Sequence, residues 1–278
     1  TRFTCCNMPD FKKITETPSH YHDLEQMDTR TILENMNRED QKVAEAVAKV
    51  IPQITRLVDA LEERFYSDGR LFYIGAGTSG RLGILDASEI PPTYGLPHTR
   101  VIGLIAGGDT AIRRSVEHAE DDTEQAWKDL LAFDINENDT VVGIAASGTT
   151  PYVLGGVRDA RKHGLLTAGI TNNPGAPLAK AVDIAIEVAV GPEFVTGSTR
   201  MKSGTSQKLV LNMISTALMI RIGRVKGNKM VNMQLSNNKL VDRGTRYLME
   251  GLQLSYDEAQ KALKQYGSVK EALDALKR

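Results

Sequence analysis

The sequence predicts an α/β fold in which a five-stranded parallel sheet is covered by helices on both faces. Short apolar runs alternate with helical stretches of ten or more residues, which is typical of βαβ units and of parallel strands buried on both faces. The length of 278 residues also allows burial of about three-quarters of the unfolded surface. A core of that size needs no disulfide or metal to hold it together.

Composition and charge exclude several classes of protein. Lys and Arg number 34 against 35 Asp and Glu, so the net charge is −1 and a globally basic nucleic-acid binder is disfavoured. A hydrophobic content of 41% with 25% charged residues is typical of a globular protein and excludes disorder for the bulk of the chain. We therefore expect no nucleic-acid partner.

The sequence also favours a cytoplasmic location. Cys5 and Cys6 are adjacent and have no other cysteine to pair with, which suits a reducing compartment. The longest apolar stretch, 209–220, is too short to span a bilayer, and the N-terminus lacks the apolar core of a signal peptide. We expect a cytoplasmic protein without a membrane partner.

The first half of the chain divides into an arm and alternating elements. Residues 1–36 are polar and irregular, and we interpret them as an arm that wraps the body or frays. From Asn37 apolar residues recur at spacings of three and four, which predicts a helix with a kink at Pro52. A short helix is predicted after the first strand, another from about Asp109 and a third over 151–163. The candidate strands are 71–74, 101–105, 141–145, 165–170 and 184–188.

The second half is dominated by helices. A long amphipathic helix is predicted over 201–222. The tail fits the capping box twice, at Ser255 with Glu258 and at Ser268 with Glu271. We predict three parts, which are the arm 1–36, the α/β domain 37–237 and a small helical domain 238–278.

Three loops are rich in glycine and hydroxyl residues. The first, 75–81, matches G-x-G-x-x-G, but no acidic residue closes the next strand as a dinucleotide site requires. The second, 147–150, and the third, 196–205, each open a predicted helix. Small hydroxyls beside glycines allow N–H and O–H groups to converge on a compact anion such as a phosphate monoester. Any one loop could merely cap its helix, but three at one sheet edge favour a ligand.

Longer motifs around these loops resemble a known family. They are the segments 75–89 (GAGTSGRLGILDASE), 91–95 (PPTYG), 103–108 (GLIAGG), 143–148 (GIAASG) and 195–202 (VTGSTRMK). Together they resemble the N-acetylmuramic acid 6-phosphate etherases, which belong to the sugar isomerase (SIS) domain superfamily. The resemblance runs from about Arg70 to Leu240. It implies an SIS-type doubly wound sheet with a small helical appendage at the C-terminus.

The resemblance also implies an activity. Such enzymes are bacterial carbon–oxygen lyases of the hydro-lyase class that cleave the D-lactyl ether of N-acetylmuramic acid 6-phosphate in peptidoglycan recycling and amino sugar catabolism. The products are N-acetylglucosamine 6-phosphate and D-lactate. The family is homodimeric and uses no metal or cofactor. A phosphosugar isomerase, or a phosphosugar-binding regulator similar to the glucokinase regulatory protein, remains the alternative.

The resemblance assigns two catalytic carboxylates. Glu89 corresponds to the acid that protonates the departing lactate, and Glu120 to the base that removes the C2 proton. From spacing alone neither glutamate stands out. Glu89 could be a carboxylate at a helix end, and Glu120 belongs to a charged run with Glu117 that is usual for a solvated surface.

The remaining expected contacts lie in the three loops. The SIS pattern assigns phosphate binding to Thr78, Ser79, Ser147, Thr149 and Thr150. Further possible substrate contacts are Gly77, Arg200 and Lys202. The broad apolar face of the long helix, with Leu211, Ile214, Leu218 and Ile222, suggests a dimer.

Overall fold

Five parallel strands form the centre of the molecule in a computed structural model that describes residues 11–276. The strands are β1 (Leu71–Gly75), β2 (Val101–Ile105), β3 (Thr140–Ile144), β4 (Leu166–Thr171) and β5 (Ile184–Glu187). Their order in the sheet is β2-β1-β3-β4-β5, with every neighbouring pair parallel. Each strand lies within one residue of its predicted ends, so the predicted fold class is confirmed. Cys5 and Cys6 lie outside the described residues.

Helices cover both faces of this sheet. They are α1 (Thr29–Ala48), α2 (Ile51–Tyr66), α3 (Gly77–Tyr94), α4 (Gly108–Arg113), α5 (Gln125–Leu131), α6 (Pro151–Lys162), α7 (Pro177–Ala181), α8 (Lys202–Arg221), α9 (Asn238–Leu252), α10 (Tyr256–Tyr266) and α11 (Val269–Leu276). Helices α1, α2, α3 and α8 pack on one face, and α5, α6 and α7 pack on the other. A short ribbon of β6 (Val225–Lys226) and β7 (Lys229–Met230) follows α8.

The strands divide their side chains between two apolar cores. Leu71 and Tyr73 of β1 belong to the core under α1, α2, α3 and α8, whereas Phe72 and Ile74 belong to the core under α5, α6 and α7. This alternation follows from the two-residue period of a strand. Because both faces are covered, the strands are almost continuously apolar.

Two helix predictions were wrong in extent. Helix α1 begins at Thr29 rather than Asn37, because Asp28 caps it by accepting a hydrogen bond from the Thr31 N–H at 3.1 Å. Helix α3 runs for 18 residues where a short helix was predicted, because its two prolines, Pro91 and Pro92, fall near the end, where few following residues depend on them. The predicted kink at Pro52 is a break between α1 and α2, with this proline in the first turn of α2.

The tail forms a third apolar core of its own. Leu248, Leu263 and Leu273 from α9, α10 and α11 meet there, together with Val231 and Met233 from the segment before residue 238. The predicted capping box at the start of α10 is confirmed, since the Ser255 and Glu258 side chains each bind the other's backbone N–H. No helix among residues 11–276 is long and apolar enough to cross a membrane.

Helix α8 turns its most apolar residues inward. Leu211, Ile214 and Leu218 have no exposed surface because they pack against the sheet and the neighbouring helices. The sequence argument for a dimer, which used these residues as an outward face, was therefore wrong. The outward face of α8 instead presents Met213, 39% exposed, and Ile220, 51% exposed.

A buried carboxyl group joins α3 to α8 and to the sheet. Asp86 accepts hydrogen bonds from the Tyr73 hydroxyl at 3.1 Å and from the Ser215 hydroxyl at 3.0 Å. Burial raises the pKa of Asp86 to about 6, although the two hydrogen bonds oppose this shift. The folded protein therefore binds this proton more tightly than the unfolded chain does.

We expect this carboxyl group to make stability depend on pH. Its contribution is complete below pH 3.8, the ordinary pKa, and is lost as the pH rises through about 6. The shift corresponds to about 3 kcal/mol. The free energy of unfolding of Asp86→Asn, measured with urea, should therefore rise relative to the wild type by about that amount between pH 4 and pH 7. A difference that stays constant over this interval would contradict the prediction.

Candidate active site

A cleft opens where the strand order reverses, between β1 and β3. The loops that follow these two strands diverge there, and in open α/β sheets this switch point beyond the carboxyl ends is where ligands bind. It holds a cavity of about 320 Å³, called here the first cavity. Its lining residues are Glu16, Ala76, Gly77, Thr78, Ser79, Glu120, Ala145, Ala146, Ser147, Thr149, Thr150, Pro151 and Thr199.

The first loop brings the N-terminus of α3 into this cavity. A Cβ atom at Gly75 would lie 2.7 Å from the Gly80 nitrogen, so the tight return of the chain requires glycine there. The first N–H groups of a helix have no partner within it, which leaves those of Thr78 and Ser79 available to an anion. The Ser79 hydroxyl donates to Gln207 Oε1 at 2.9 Å, which fixes the side chain.

The second loop is organised around one hydroxyl group. Ser147 Oγ accepts hydrogen bonds from the Thr149 N–H at 3.2 Å and from the Thr149 hydroxyl at 3.1 Å. Its own proton is therefore free to be donated to a ligand, and the accepted bonds strengthen it as a donor. Gly148 adopts a φ of +67°, a conformation that glycine reaches without strain.

The third loop differs from the other two. The carboxylate of Glu193 accepts hydrogen bonds from the N–H groups of Lys202 and Ser203 at 2.8 and 2.9 Å, so the start of α8 already holds an internal anion. Thr199 of this loop lines the first cavity. The expectation that all three loops open toward one external anion is corrected, because the protein's own carboxylate caps this helix.

Lys202, expected as a possible substrate contact, is a structural residue. Its ammonium group lies 2.7 Å from Glu39 Oε2, and the two side chains are 2% and 4% exposed. Burial alone would raise the pKa of Glu39, but hydrogen bonds from Lys202 and Lys42 hold it at about 2. Arg200 is exposed and does not line the first cavity. Of the three further contacts expected from the sequence, only Gly77 lies there.

The N-terminal arm reaches the same cavity. Thr15 and Asn173 bind each other twice, through the Thr15 N–H at 3.1 Å and the Asn173 amide at 2.9 Å. Ser19 donates from its hydroxyl to the Phe194 carbonyl at 2.8 Å. These bonds seat the arm on the carboxyl edge of the sheet, where Glu16 lines the first cavity. Sequence reasoning missed Glu16 because an exposed glutamate in a polar segment carries no local signal of a binding site.

The two predicted catalytic glutamates are not together in one chain. Glu120 lies in a single turn at Ala119–Asp121 and lines the first cavity. Glu89 is exposed near the far end of α3, about 18 Å along the helix from Gly77. Among the described residues, no group of three or more His, Cys, Asp or Glu is arranged to hold a metal ion.

Comparison with known proteins identifies the domain and the fold. Residues 49–160 match the N-terminal SIS domain of the glucokinase regulatory protein, and residues 112–217 match the SIS domain. Among solved structures, a phosphoheptose isomerase from Neisseria gonorrhoeae has a TM-score of 0.52 at 16% identity and covers 68% of this chain and 97% of its own. A phosphoheptose isomerase from Francisella tularensis has a TM-score of 0.51 at 17% identity, covering 68% and 100%. These structures show the fold alone.

Curated relatives are much more similar. An N-acetylmuramic acid 6-phosphate etherase of Porphyromonas gingivalis is 64% identical over 96% of this chain and 97% of its own length. The etherase of Bacteroides fragilis is 63% identical over 97% and 96%, and that of Aeromonas hydrophila is 54% identical over 91% and 85%. The chain belongs to the family of N-acetylmuramic acid 6-phosphate etherases.

Proposed function

We propose that this protein cleaves the D-lactyl ether of N-acetylmuramic acid 6-phosphate, giving N-acetylglucosamine 6-phosphate and D-lactate. The observation that carries the proposal is the 64% identity to an etherase over nearly the whole of both chains. The first cavity lies at the switch point of the sheet and is lined by loops 75–81 and 147–150, called here the hydroxyl loops. Their N–H and O–H groups support a phosphosugar as the ligand. The activity would serve peptidoglycan recycling in the bacterial cytoplasm.

The reaction requires an acid and a base. Opening of the sugar ring exposes an aldehyde at C1, which makes the proton on C2 removable. When a base takes that proton, its electron pair is first held as the enolate of the C1 aldehyde. The C1 carbonyl then re-forms, the C2–C3 double bond is made, and the C3–O pair leaves on the lactyl oxygen, which is protonated. Water then adds to C3 and a proton returns to C2. The net reaction consumes one water molecule.

We assign the base to Glu120 and the acid to Glu89. Glu120 lies beside the hydroxyl loops, so a sugar whose phosphate binds those loops can present C2 to it. A general base must come within hydrogen-bond reach of the proton that it removes. The phosphate would be held by the first-turn N–H groups of α3 and by Ser147, Thr149 and Thr150.

The test is direct. Purified protein is incubated with N-acetylmuramic acid 6-phosphate, and D-lactate and N-acetylglucosamine 6-phosphate are quantified. Equal amounts of the two products are expected. A ketose without lactate would indicate an isomerase, and binding without turnover would indicate a phosphosugar-binding regulator, and either result would overturn the proposal.

We also propose that the protein is a homodimer in which Glu89 acts in the partner's site. An apolar groove of about 690 Å³ lies between α2 and α8. Ile51, Met213 and Ile220 are 47%, 39% and 51% exposed and lie together in this groove, and a contiguous exposed apolar patch of this kind marks a protein interface. Glu89 is exposed and α3 runs back from the carboxyl edge of the sheet, so a two-fold axis that also crosses α3 would bring Glu89 of one copy toward the cavity of the other.

A heterodimer tests this arrangement. Glu89→Gln and Glu120→Gln chains, each with its own affinity tag, are co-expressed and the mixed species is purified through both tags. If the site is shared, one of its two sites is intact and about half of the wild-type activity is expected. If each site uses one chain alone, every site carries a defect and the mixed species is as inactive as its parents.

The proposal also covers the domain boundary near residue 238 and the role of Arg200. We propose that the phosphosugar-binding domain and the small helical domain meet near residue 238, because α9, α10 and α11 form an apolar core separate from the two cores of the sheet, to which Val231 and Met233 are added from the segment just before. The exposed Arg200 is proposed to contact substrate in a neighbouring subunit's site.

A further inference from the structure

A second cavity adjoins the first and has no role in the function proposed above. It has a volume of about 290 Å³ and shares the walls formed by Ala76, Gly77 and Glu120 with the first cavity. It extends from Glu120 away from the hydroxyl loops and toward α4, where Ser115 and Val116 line it. The carboxylate of Glu120 therefore stands at the junction of two compartments.

Arg81 carries the permanent positive charge in the lining of this second cavity. It lies in the first two turns of α3 and is half-buried. Its Nε donates to the Ile112 carbonyl at 2.9 Å, which fixes the plane of the guanidinium and leaves the terminal nitrogens for another ligand. Within residues 11–276, no carboxylate lies within 4.0 Å of this guanidinium.

Arg81 is the group in this lining that favours an anionic ligand. A half-buried guanidinium without an acidic partner is suited to a carboxylate, which it binds through two parallel hydrogen bonds. Glu117 and His118 also line the second cavity, so an anion there meets like charge from Glu117 and Glu120. Such an anion needs a fixed cation, and Arg81 provides it.

We propose that the second cavity is the subsite for the D-lactyl group and that Arg81 binds the lactyl carboxylate. This inference rests on the proposed function, in which the substrate carries a phosphate at C6 and a carboxylate on the ether arm at C3. With the phosphate in the hydroxyl loops and C2 at Glu120, the neighbouring C3 directs its ether arm past Glu120 into the second cavity. Arg81 would thereby distinguish this substrate from sugar phosphates that lack a lactyl group.

The test compares two substrates in two proteins. The substrates are N-acetylmuramic acid 6-phosphate and its lactyl carboxamide, which has the same shape without the charge. The wild type should prefer the carboxylate in kcat/KM on the order of 10- to 100-fold, the range for a charge-assisted hydrogen-bond pair. Arg81→Met should lose this preference, and Arg81→Lys should retain part of it. Both variants should bind N-acetylglucosamine 6-phosphate within about twofold of the wild type, since this product lacks the lactyl group.

Arg113 provides the matched control. It is exposed at the end of α4, close in sequence to the second cavity but outside its lining, so Arg113→Met removes the same charge without the proposed contact. Arg113→Met should keep the full preference for the carboxylate.

The results that would contradict the proposal distinguish failure of the subsite from failure of the proposed function. If Arg81→Met still prefers the carboxylate, the subsite is overturned while lactate release by the wild type upholds the proposed function. If Arg81→Met loses affinity for the product as strongly as for the substrate, Arg81 serves the phosphate and the subsite is again overturned. If the wild type releases no lactate, the proposed function fails and the subsite fails with it.

Discussion

Replacing Glu120 with glutamine is expected to lower kcat for D-lactate release by about 10³-fold, within the range that positioned general bases contribute. Glutamine keeps the size of the side chain but cannot accept the C2 proton. The exchange of that proton with solvent deuterium should therefore disappear together with lactate release. The affinity for N-acetylglucosamine 6-phosphate should stay within about threefold of the wild type, because the hydroxyl loops that would bind its phosphate are unchanged.

Two further variants separate the roles of the carboxylates. Asp121→Asn removes a neighbouring charge that does not line the first cavity, so its activity should stay within about twofold of the wild type. Glu89→Gln should lose lactate release yet retain deuterium exchange at C2, since the acid acts on the leaving group after proton removal. A loss confined to Glu117→Gln, with full activity in Glu120→Gln, would contradict the assignment.

The buried ion pair of Lys202 and Glu39 is expected to contribute strongly to stability. Lys202→Met should lower the free energy of unfolding by about 3–5 kcal/mol, because it leaves Glu39 charged in a site that is 4% exposed. Lys42 remains within 2.6 Å of Glu39 but is 52% exposed, so it replaces little of the lost interaction. The melting temperature should fall by roughly 10 °C for a chain of this size.

A double variant tests whether the uncompensated charge of Glu39 causes the loss of stability. Glu39→Gln combined with Lys202→Met removes both charges and should recover a large part of the loss, since no uncompensated charge stays buried. The exposed pair of Arg30 and Glu34 serves as a control, and Arg30→Met should cost less than about 1 kcal/mol. A double variant no more stable than Lys202→Met alone would show that packing, rather than charge, accounts for the loss.

Local patterns predicted most of the fold. Strand ends were predicted to within one residue, because a buried parallel strand is a short apolar run between glycine-rich loops. The same patterns failed at the start of α1 and for the length of α3. The cap at Asp28 lies within a polar segment, and prolines inside α3 resemble a helix end although they fall in its last turns.

The site was predictable in part. The hydroxyl loops around Thr78 and Ser147, both predicted from the sequence, line one cavity because the structure places the strands before them, β1 and β3, side by side. Glu16 and Arg81 were missed. An exposed glutamate in a polar arm and an arginine in the second turn of a helix have no local signal that separates them from surface residues.

By itself the sequence determined the α/β class and the family to which the chain belongs, and it located the glycine- and hydroxyl-rich loops, because these depend on contiguous residues. The tertiary structure decided which distant residues meet. It placed Thr15 against Asn173, paired Lys202 with Glu39 and turned the apolar side of α8 inward. It also separated Glu89 from Glu120 within one chain. Such contacts depend on how elements pack, and packing is a property of whole surfaces that no local pattern of residues specifies.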